Sequence, residues 1–407
     1  MNNKISDMNV LYEAFKASMK GSACKEETQR FEIDFLSEIT KLHNELENKT
    51  YETSPGIQFT LNERGHIRYI HGNKMRDRVV RHALCDEELT DALKPYLIYN
   101  NGASQKGKGI SFARKMFERD LHNYWLENRT NEGYIGFVDM SKFFDNIQHE
   151  KVKKSIYPKI SEFSQWVMDE VLNNFEVDVS YMDDEEYSNC LNKRFNSLEY
   201  HEMITEEQCT GDKFMKKSVN IGDQVSQDIG MFFPTPIDNY AKIVRGCKRY
   251  GRYMDDIYIM GKTKEYVKSI INGIKIEAQK SGLFINEKKT RIVKMSSTYK
   301  YLQIKYTLTD TGKVIKRINP KTITRERRKI KAYKRLLDRG EMSYKDIEQA
   351  VKSWIGAYHK LMSKKQKNNM KVLYKELFGK ELIWKKQLLN SKTEHKLKQK
   401  SMGTAIS

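Results

Sequence analysis

The sequence has little of what interrupts helices. Its 407 residues include only 6 prolines and 22 glycines, which disfavours collagen-like, linker-like and turn-rich all-β chains. Aromatic residues are plentiful, with 17 Phe, 4 Trp and 23 Tyr, and this content argues against disorder. The length allows two or three domains at about 100–200 residues each. Together these features predict a folded, helix-rich protein.

Long apolar runs are also missing. The longest uncharged apolar stretch, residues 229–237, contains two prolines, whereas a membrane-spanning helix needs about 20 apolar residues. Near the start, Asp7 and Glu13 interrupt any secretory-type segment. The five cysteines are scattered, without a CxxC pair or zinc-ligand spacing, as is typical of free thiols in a reducing compartment. We therefore predict a cytoplasmic protein without a membrane partner.

Basic residues outnumber acidic ones. The 73 Lys and Arg residues exceed the 54 Asp and Glu residues by a net charge of +19. Such an excess favours a polyanionic partner, nucleic acid first of all; the alternative is that it serves only solubility. Residues 313–339 hold twelve basic and two acidic residues, and we predict a cationic helix there. A solvated helix face is the alternative to phosphate contacts by that helix.

Apolar spacing predicts the elements that carry the motifs. A spacing of three to four residues predicts helices within the first fifty residues, and residues 58–61 and 66–70 predict a hairpin. An apolar strand is predicted at residues 134–138. Residues 183–213 are polar and predict an irregular segment.

Three acids stand at the ends of apolar runs. Asp139 directly follows the strand at residues 134–138, and Asp255 and Asp256 separate two short apolar runs that predict a second hairpin. Acids at the tips of buried strands are costly unless they are compensated. Two hard divalent cations would compensate them and would clamp an in-line phosphoryl displacement. Taken singly, Asp139 is also compatible with a helix cap and the acid pair with a β-turn.

The tetrapeptide around the acid pair occurs twice. Tyr-Met-Asp-Asp stands at residues 181–184 and again at residues 253–256. The first copy continues into Glu185 and Glu186 without a second apolar run, so its acids are predicted to be solvated loop charges. The second copy is predicted to be the catalytic one.

The order of these motifs resembles the reverse transcriptase family, over residues 60–305. The stretches that resemble its palm motifs are residues 137–147, 221–227, 253–256 and 283–290, and those that resemble the fingers motif are Arg68 and residues 76–80. The resemblance implies an α+β right-hand polymerase with helical and hairpin fingers, an antiparallel-sheet palm and an all-helical thumb. The expected boundaries are 1–130 for fingers, 131–310 for palm, and 311–407 for the basic helical thumb and C-terminal tail.

The resemblance also implies roles for individual residues. Asp139, Asp255 and Asp256 would bind two Mg²⁺ ions, with Mn²⁺ as a substitute. Phe144 would exclude a 2′-hydroxyl, or else is an ordinary core residue. Further expected nucleotide contacts are Gly222, Arg68, Arg78 and Lys289, with Lys288 or plain solvation as the alternatives for the lysine. The supporting motif residues are Ser226, Gln227, Tyr253 and Met254. Expected contacts to nucleic-acid phosphate are Lys106, Lys108, Arg325, Arg327, Arg328, Lys329, Lys331, Lys334 and Arg335.

Three positions in two motifs depart from the common family pattern. Many members have Gln-Gly and Ser-Pro in the second palm motif, where this chain has Ile221-Gly222 and Ser226-Gln227. That variant is similar to diversity-generating retroelement enzymes and to defence-associated bacterial reverse transcriptases. Gln303 stands where the primer-grip motif usually has Gly.

We expect an RNA-directed DNA polymerase that copies a specific, non-coding RNA in antiphage defence, with dNTPs and a DNA product or primer as partners. One alternative is a diversity-generating enzyme with a small basic accessory protein. Others are template-independent or protein-primed synthesis, and a non-catalytic RNA-binding protein.

Overall fold

A computed structural model describes residues 4–63, 66–203 and 205–382. The chain divides into two compact units. The first contains the residues up to Asp120 together with Glu132–Lys294, and the second contains Leu121–Asn131 together with the residues from Met295 onward. The expected C-terminal tail beyond residue 382 lies outside the described residues, and the expected fingers, palm and thumb boundaries stay predictions.

Sixteen α-helices lie within the described ranges. They are α1 Met8–Met19, α2 Glu26–Ile33, α3 Phe35–Glu47, α4 Met75–Leu84, α5 Thr90–Leu93, α6 Ile110–Asn128, α7 His149–Ile156, α8 Glu162–Asn173, α9 Asp184–Asn192, α10 Ser197–Met203, α11 Gln224–Phe232, α12 Thr235–Asn239, α13 Lys264–Lys280, α14 Pro320–Asp338, α15 Tyr344–Tyr358 and α16 Lys364–Phe378. Within these ranges, no helix is both long enough and apolar enough to cross a membrane.

The strands form antiparallel sheets. They are β1 Ile57–Glu63, β2 His66–Gly72, β3 Tyr134–Val138, β4 Val177–Asp178, β5 Phe214–Met215, β6 Tyr250–Tyr253, β7 Asp256–Gly261, β8 Arg291–Lys294, β9 Tyr299–Tyr301, β10 Ile304–Leu308 and β11 Val314–Ile318. The predicted hairpins at β1–β2 and β6–β7 and the predicted strand β3 are confirmed.

The four-stranded sheet of the first unit has the order β6-β7-β3-β8. One of its two inner strands, β3, is almost wholly buried, and α13 packs on one face. Gly136 of β3 makes this packing close, because a Cβ there would lie 2.7 Å from Val267 Cγ1 and 2.9 Å from Ile271 Cδ1. The sheet therefore fixes the position of the residue that follows β3, Asp139.

The polar segment at residues 183–213 is not irregular, so that prediction is wrong. Asp183 accepts a hydrogen bond from the backbone N–H of Glu186 and begins α9, and α10 follows. A local apolar cluster holds the surrounding module together, and its buried members are Val177, Val179, Met182, Phe195 and Met215. Helix capping and this small core order a segment that composition alone describes as a loop.

The basic segment of the second unit begins as a strand, so the prediction of a helix across residues 313–339 is wrong in its first part. Strand β11 pairs with β10 from Leu308↔Val314 to Ile304↔Ile318. Helix α14 begins only after Asn319, whose side chain caps it, with Pro320 at its first turn, a position that suits proline. The thumb-like region is therefore not all-helical in the described residues.

Candidate active site

The sheet register brings Asp139 next to the acid pair. Strand β3 pairs with β7 up to Val138↔Ile257, and β6 pairs with β7 at Tyr253↔Asp256. Met254 and Asp255 therefore form the two-residue turn of the β6–β7 hairpin, beside the residue that follows β3. The structure thus brings Asp139, Asp255 and Asp256 together at one end of the sheet.

The turn that carries Asp255 is held in an unusual conformation. Met254 is buried and has a φ of 52°, a left-handed value that non-glycine residues rarely adopt. Arg252 supports the turn from inside, since its Nη1 donates to the Met254 carbonyl at 3.3 Å. The Arg252 guanidinium also donates to both carboxylate oxygens of Asp238, at 2.7–3.0 Å, and both side chains are fully buried.

The carboxylates of the site repel each other. The pKa of Asp255 is raised to about 6, mainly by burial and in part by the neighbouring charge of Asp139. The positive charges of Lys289 and Arg68 act in the opposite direction on the same pKa. Lys289 Nζ lies 3.3 Å from Asp139 Oδ2. Two of the predicted nucleotide contacts are thus electrostatic neighbours of the acids.

The donor set suits a hard divalent cation. Asp139 Oδ2 is buried and accepts no hydrogen bond from the described part of the chain, although the Lys289 ammonium lies 3.3 Å away. A divalent cation there would supply the coordination that the ammonium does not. Among the described residues there is no group of three or more His, Cys, Asp or Glu side chains arranged to hold a metal. Mg²⁺ is commonly held by one or two carboxylates and completed by water and substrate phosphates. Asp139 and Asp255 fit that arrangement.

Phe144 lies in a short 3₁₀ helix at Phe144–Asn146. Its ring packs edge-on against Phe143 with centroids 5.1 Å apart, and Phe143 is the buried member of the pair while Phe144 is half-buried. Phe144 also contacts the α11 backbone, since a Cβ on Gly230 would lie 3.0 Å from its Cε1. The ring thus remains partly accessible while its neighbour fills the core.

The second palm-like motif lies at the start of α11. Gly222 has a φ of 99° with open space where a Cβ would be, and Asp223 caps α11 through the N–H groups of Val225 and Ser226. Ser226 is fully buried, whereas Gln227 accepts a hydrogen bond from Ser104 Oγ at 3.0 Å.

A groove of about 1400 Å³ runs past this motif in the first unit, and its lining includes Gly222, Gln227, Arg78, Lys106 and Lys108.

Two predicted contacts in this groove already have protein partners. The Arg78 guanidinium donates to Ser22 Oγ at 3.2 Å and to the Ser18 carbonyl. Lys108 Nζ donates to the Tyr99 carbonyl at 3.0 Å and lies 5.2 Å from the ring centres of both Tyr99 and Phe112. Burial lowers the pKa of Lys108. Lys106 is exposed.

Sequence reasoning missed a buried ion pair beside Gly222. Arg81 of α4 donates to Asp223, and each side chain is 1 % exposed. Asn73 Nδ2 also donates to Asp223, at 2.6 Å. These contacts join α4 to the cap of α11. The sequence does show Arg81 as a charged residue among apolar helix positions. It does not show that the partner of Arg81 is Asp223, 142 residues away.

The first copy of the tetrapeptide serves a local purpose. Asp183 caps α9, and the exposed Asp184 pairs with Lys213 at 2.6 Å. Both contacts stay inside the module at residues 177–215. The charged groups that shift the pKa of Asp255 include Asp139, Lys289 and Arg68.

The cationic helix α14 belongs to the second unit. Its buried side contains Ile323, Glu326 and Ile330. The seven residues predicted to contact phosphate lie outside this buried side. Lys334 is half-buried, and the other six are exposed: Arg325, Arg327, Arg328, Lys329, Lys331 and Arg335. Lys334 forms an ion pair with Asp338 on the same helix.

Acids gathered at the end of an antiparallel sheet, with two cationic neighbours, define a site suited to nucleotidyl transfer. The sequence model of the family described as "Reverse transcriptase (RNA-dependent DNA polymerase)" matches residues 62–306. No curated protein gives a match.

Because the family match spans more than half of the 407 residues, the chain belongs to the reverse transcriptase family. It is an RNA-directed DNA polymerase, a nucleotidyltransferase with the right-hand fold of that family, and its partners are an RNA template, DNA and dNTPs.

Proposed function

We propose that Asp139, Asp255 and Asp256 are the catalytic, metal-binding acids of this polymerase. The observation that carries the proposal is the β3–β7 register, which puts Asp139 beside the turn of the acid pair. In the described part of the chain, the buried Oδ2 of Asp139 accepts no hydrogen bond and has only the Lys289 ammonium as an ion-pair partner, which supports a metal cation there. Two bound Mg²⁺ ions, or Mn²⁺ in their place, would activate the attacking hydroxyl and stabilise the charge on the leaving oxygen.

The neighbouring residues would orient the incoming nucleotide. Phe144, half-buried against α11, would present its ring edge to the sugar and exclude a 2′-hydroxyl. Gly222 would let the nucleotide approach the backbone, and Arg68, Arg78 and Lys289 would contact the triphosphate as charged donors. Lys289 now pairs with Asp139, so it would exchange that partner for phosphate when substrate binds.

Residues outside the site would hold the nucleic acid. In this proposal residues 1–130 are fingers, residues 131–310 are palm, and residues 311–407 are the thumb and tail. The exposed cations of α14 would contact backbone phosphates in a sequence-independent way, and Lys106 would contact the template.

The form of the second palm motif bears on the biological role. The Ile-Gly and Ser-Gln form of the second motif supports a bacterial reverse transcriptase of the defence-associated or diversity-generating kind. We favour copying of a cognate non-coding RNA in antiphage defence. A diversity-generating role, with a small basic accessory protein, is the second candidate, and the same site would also serve template-independent or protein-primed synthesis.

The repeated tetrapeptide provides a matched control for the catalytic acids. The double variant Asp255→Ala/Asp256→Ala should lose dNTP incorporation on an RNA template with Mg²⁺. Asp183→Ala/Asp184→Ala removes the same two side chains from the same four-residue sequence and should keep it. Equal loss in both variants, or product from the first, would contradict the assignment.

The template question needs a different readout. Sequencing the RNA that co-purifies with the protein, and the DNA made from it, should give complementary sequences from one locus. A homopolymer product would instead support template-independent synthesis, and RNA binding without incorporation under any divalent metal would support a non-catalytic protein.

A further inference from the structure

The chain turns sharply between Asp139 and Phe144. Lys142 has a φ of 47°, a left-handed value that non-glycine residues rarely adopt, and Phe144 begins its short 3₁₀ helix two residues later. A backbone in such a conformation persists only where its surroundings hold it in place. The position of the Phe144 ring therefore depends on what holds residues 140–146, which we call the ring loop.

Asn146 holds the ring loop from inside. Its side chain is fully buried, and its Nδ2 donates to the Lys142 carbonyl at 2.8 Å. The same Nδ2 donates to the Phe195 carbonyl at 3.1 Å, while Oδ1 accepts from the Phe195 N–H at 2.8 Å. Since the carbonyls need a donor and the N–H needs an acceptor, these partners fix the orientation of the amide. One side chain thus ties the strained turn to Phe195.

Phe195 belongs to the module at residues 177–215. Its ring is fully buried in the apolar cluster of that module and stacks on Tyr200 with centroids 4.7 Å apart. The module therefore holds the backbone of Phe195, the group that Asn146 contacts, by packing of its own.

Two further hydrogen bonds join the same parts of the chain. The Arg194 guanidinium donates to Ser141 Oγ at 3.2 Å, and the Ser197 N–H donates to Asp145 Oδ2 at 3.3 Å. Residues 194–197 of the module thus contact both ends of the ring loop.

Lys217 fastens the chain just before this contact. Its side chain is fully buried, and its ammonium donates at 2.7–3.2 Å to three carbonyls at the end of α9, those of Cys190, Leu191 and Lys193. A cation is favoured at the carboxyl end of a helix. Lys217 therefore fixes the backbone two residues before Phe195.

On its other side, the ring loop contacts the chain around α11. The Phe144 carbonyl accepts from the Val219 N–H at 3.1 Å, and a Cβ on Gly230 would lie 3.0 Å from Phe144 Cε1. A ring with so close a neighbour has no room to move toward α11. Loosening the module side would therefore move the ring away from α11.

We propose that the 177–215 module positions the Phe144 ring, with Asn146 and Lys217 as positioning residues for the choice between deoxyribose and ribose. The inference rests on the proposed function in that Phe144 is the residue proposed to exclude a 2′-hydroxyl. A misplacement of about 1 Å in an active site can cost about a hundredfold in rate. The selectivity of the enzyme then depends on the module as well as on the ring.

The test measures incorporation of one dNTP and the matching rNTP on an RNA template, and the selectivity is the ratio of their kcat/KM values. Both rates scale with the same amount of folded enzyme, so loss of folded protein cancels in this ratio. Asn146→Ala removes three hydrogen bonds and should lower the ratio by about tenfold to a hundredfold. Lys217→Met, a second variant that acts from the module side, should lower it as well.

Two comparisons separate positioning from general destabilisation. Val167→Ala makes a cavity in α8, where Val167 is buried, and should keep the wild-type ratio. In the Phe144→Ala background, Asn146→Ala should have no further effect on the ratio, because it acts through the ring. A wild-type ratio in Asn146→Ala, an equal fall in Val167→Ala, or a further fall in the Phe144→Ala background would overturn the proposal.

Phe144→Ala by itself keeps the two proposals apart. If it lowers the ratio and Asn146→Ala does not, the module proposal fails and the proposed role of Phe144 stands. If Phe144→Ala keeps the wild-type ratio, the proposed role of Phe144 fails. A crystal structure of Asn146→Ala then decides the positioning alone, since a displaced ring loop supports it and an unmoved one overturns it.

Discussion

Arg252→Met should strongly destabilise the first unit, because it leaves Asp238 as a buried charge without a partner. Both side chains of the pair are fully buried. The substitution removes three hydrogen bonds to the Asp238 carboxylate, and one each to the carbonyls of Met231 and Met254. Within the described residues, the hydroxyl of Tyr250 is then the one side-chain donor left to Asp238, at 2.7 Å.

The magnitude follows from the uncompensated charge. Removing one partner of a buried ion pair costs about 3–5 kcal/mol of unfolding free energy. For a unit of this size that corresponds to a melting temperature lower by on the order of 10 °C. A neutral side chain in place of Asp238 should restore part of the loss, so Asp238→Asn/Arg252→Met should be more stable than the sum of the single changes predicts.

Calorimetry or urea unfolding of the two single variants and the double variant tests this prediction. Lys275→Gln is a suitable control, because its ion pair with Glu287 is exposed and should contribute less than about 1 kcal/mol. Single-variant losses as small as the control's, or strictly additive effects in the double variant, would refute the reasoning. Incorporation by any folded Arg252 variant should also fall, since the Met254 turn loses its internal donor.

Three further predictions concern the scaffold. Gln303→Gly should raise the unfolding free energy by about 1 kcal/mol in urea unfolding, because Gln303 has a φ of 72° in the β9–β10 turn and glycine adopts that conformation without strain; Gln303→Val should lower it. Burial lowers the pKa of His149 to about 4, so the unfolded state binds a proton first as pH falls below about 6.5. Unfolding free energy should therefore fall by up to about 3 kcal/mol between pH 6.5 and 4, and His149→Gln should remove that slope. Gly136→Ala should cost about 1–3 kcal/mol by overpacking against Val267 and Ile271, and an unchanged melting curve would contradict the close approach.

Local patterns predicted the local elements well. Short apolar runs predicted β3 and the β6–β7 hairpin because these strands are buried, and that was enough to pick out three acids that the structure brings together. Strand β11 was missed because it lies in a continuous basic segment that we predicted to be one helix. Its strand conformation depends on pairing with β10, which the sequence does not reveal. The prediction for residues 183–213 was wrong because it was based on polar composition. Composition does not show that the Asp183 side chain caps a helix.

The internal supports of the site could not be predicted from the sequence. Arg81 and Asp223 are 142 residues apart, and nothing in either neighbourhood identifies the other. Arg252 and Asp238 are only 14 residues apart in the sequence. An exposed ion pair could have the same two residues at the same spacing, so the sequence does not show that this pair is buried. These ion pairs hold the site in place because they are buried. Whether a charged side chain is buried depends on the complete tertiary fold.

One tetrapeptide in this protein takes two conformations. In the copy at residues 181–184, the third residue, Asp183, caps a helix. In the copy at residues 253–256, the third residue, Asp255, is the second residue of a two-residue hairpin turn. The two copies differ in their surroundings. The second copy lies between strands β6 and β7, and the Arg252 guanidinium donates a hydrogen bond to its turn. Grafting the four letters onto another hairpin would therefore not transfer the chemistry unless the arginine and its buried aspartate were moved with them.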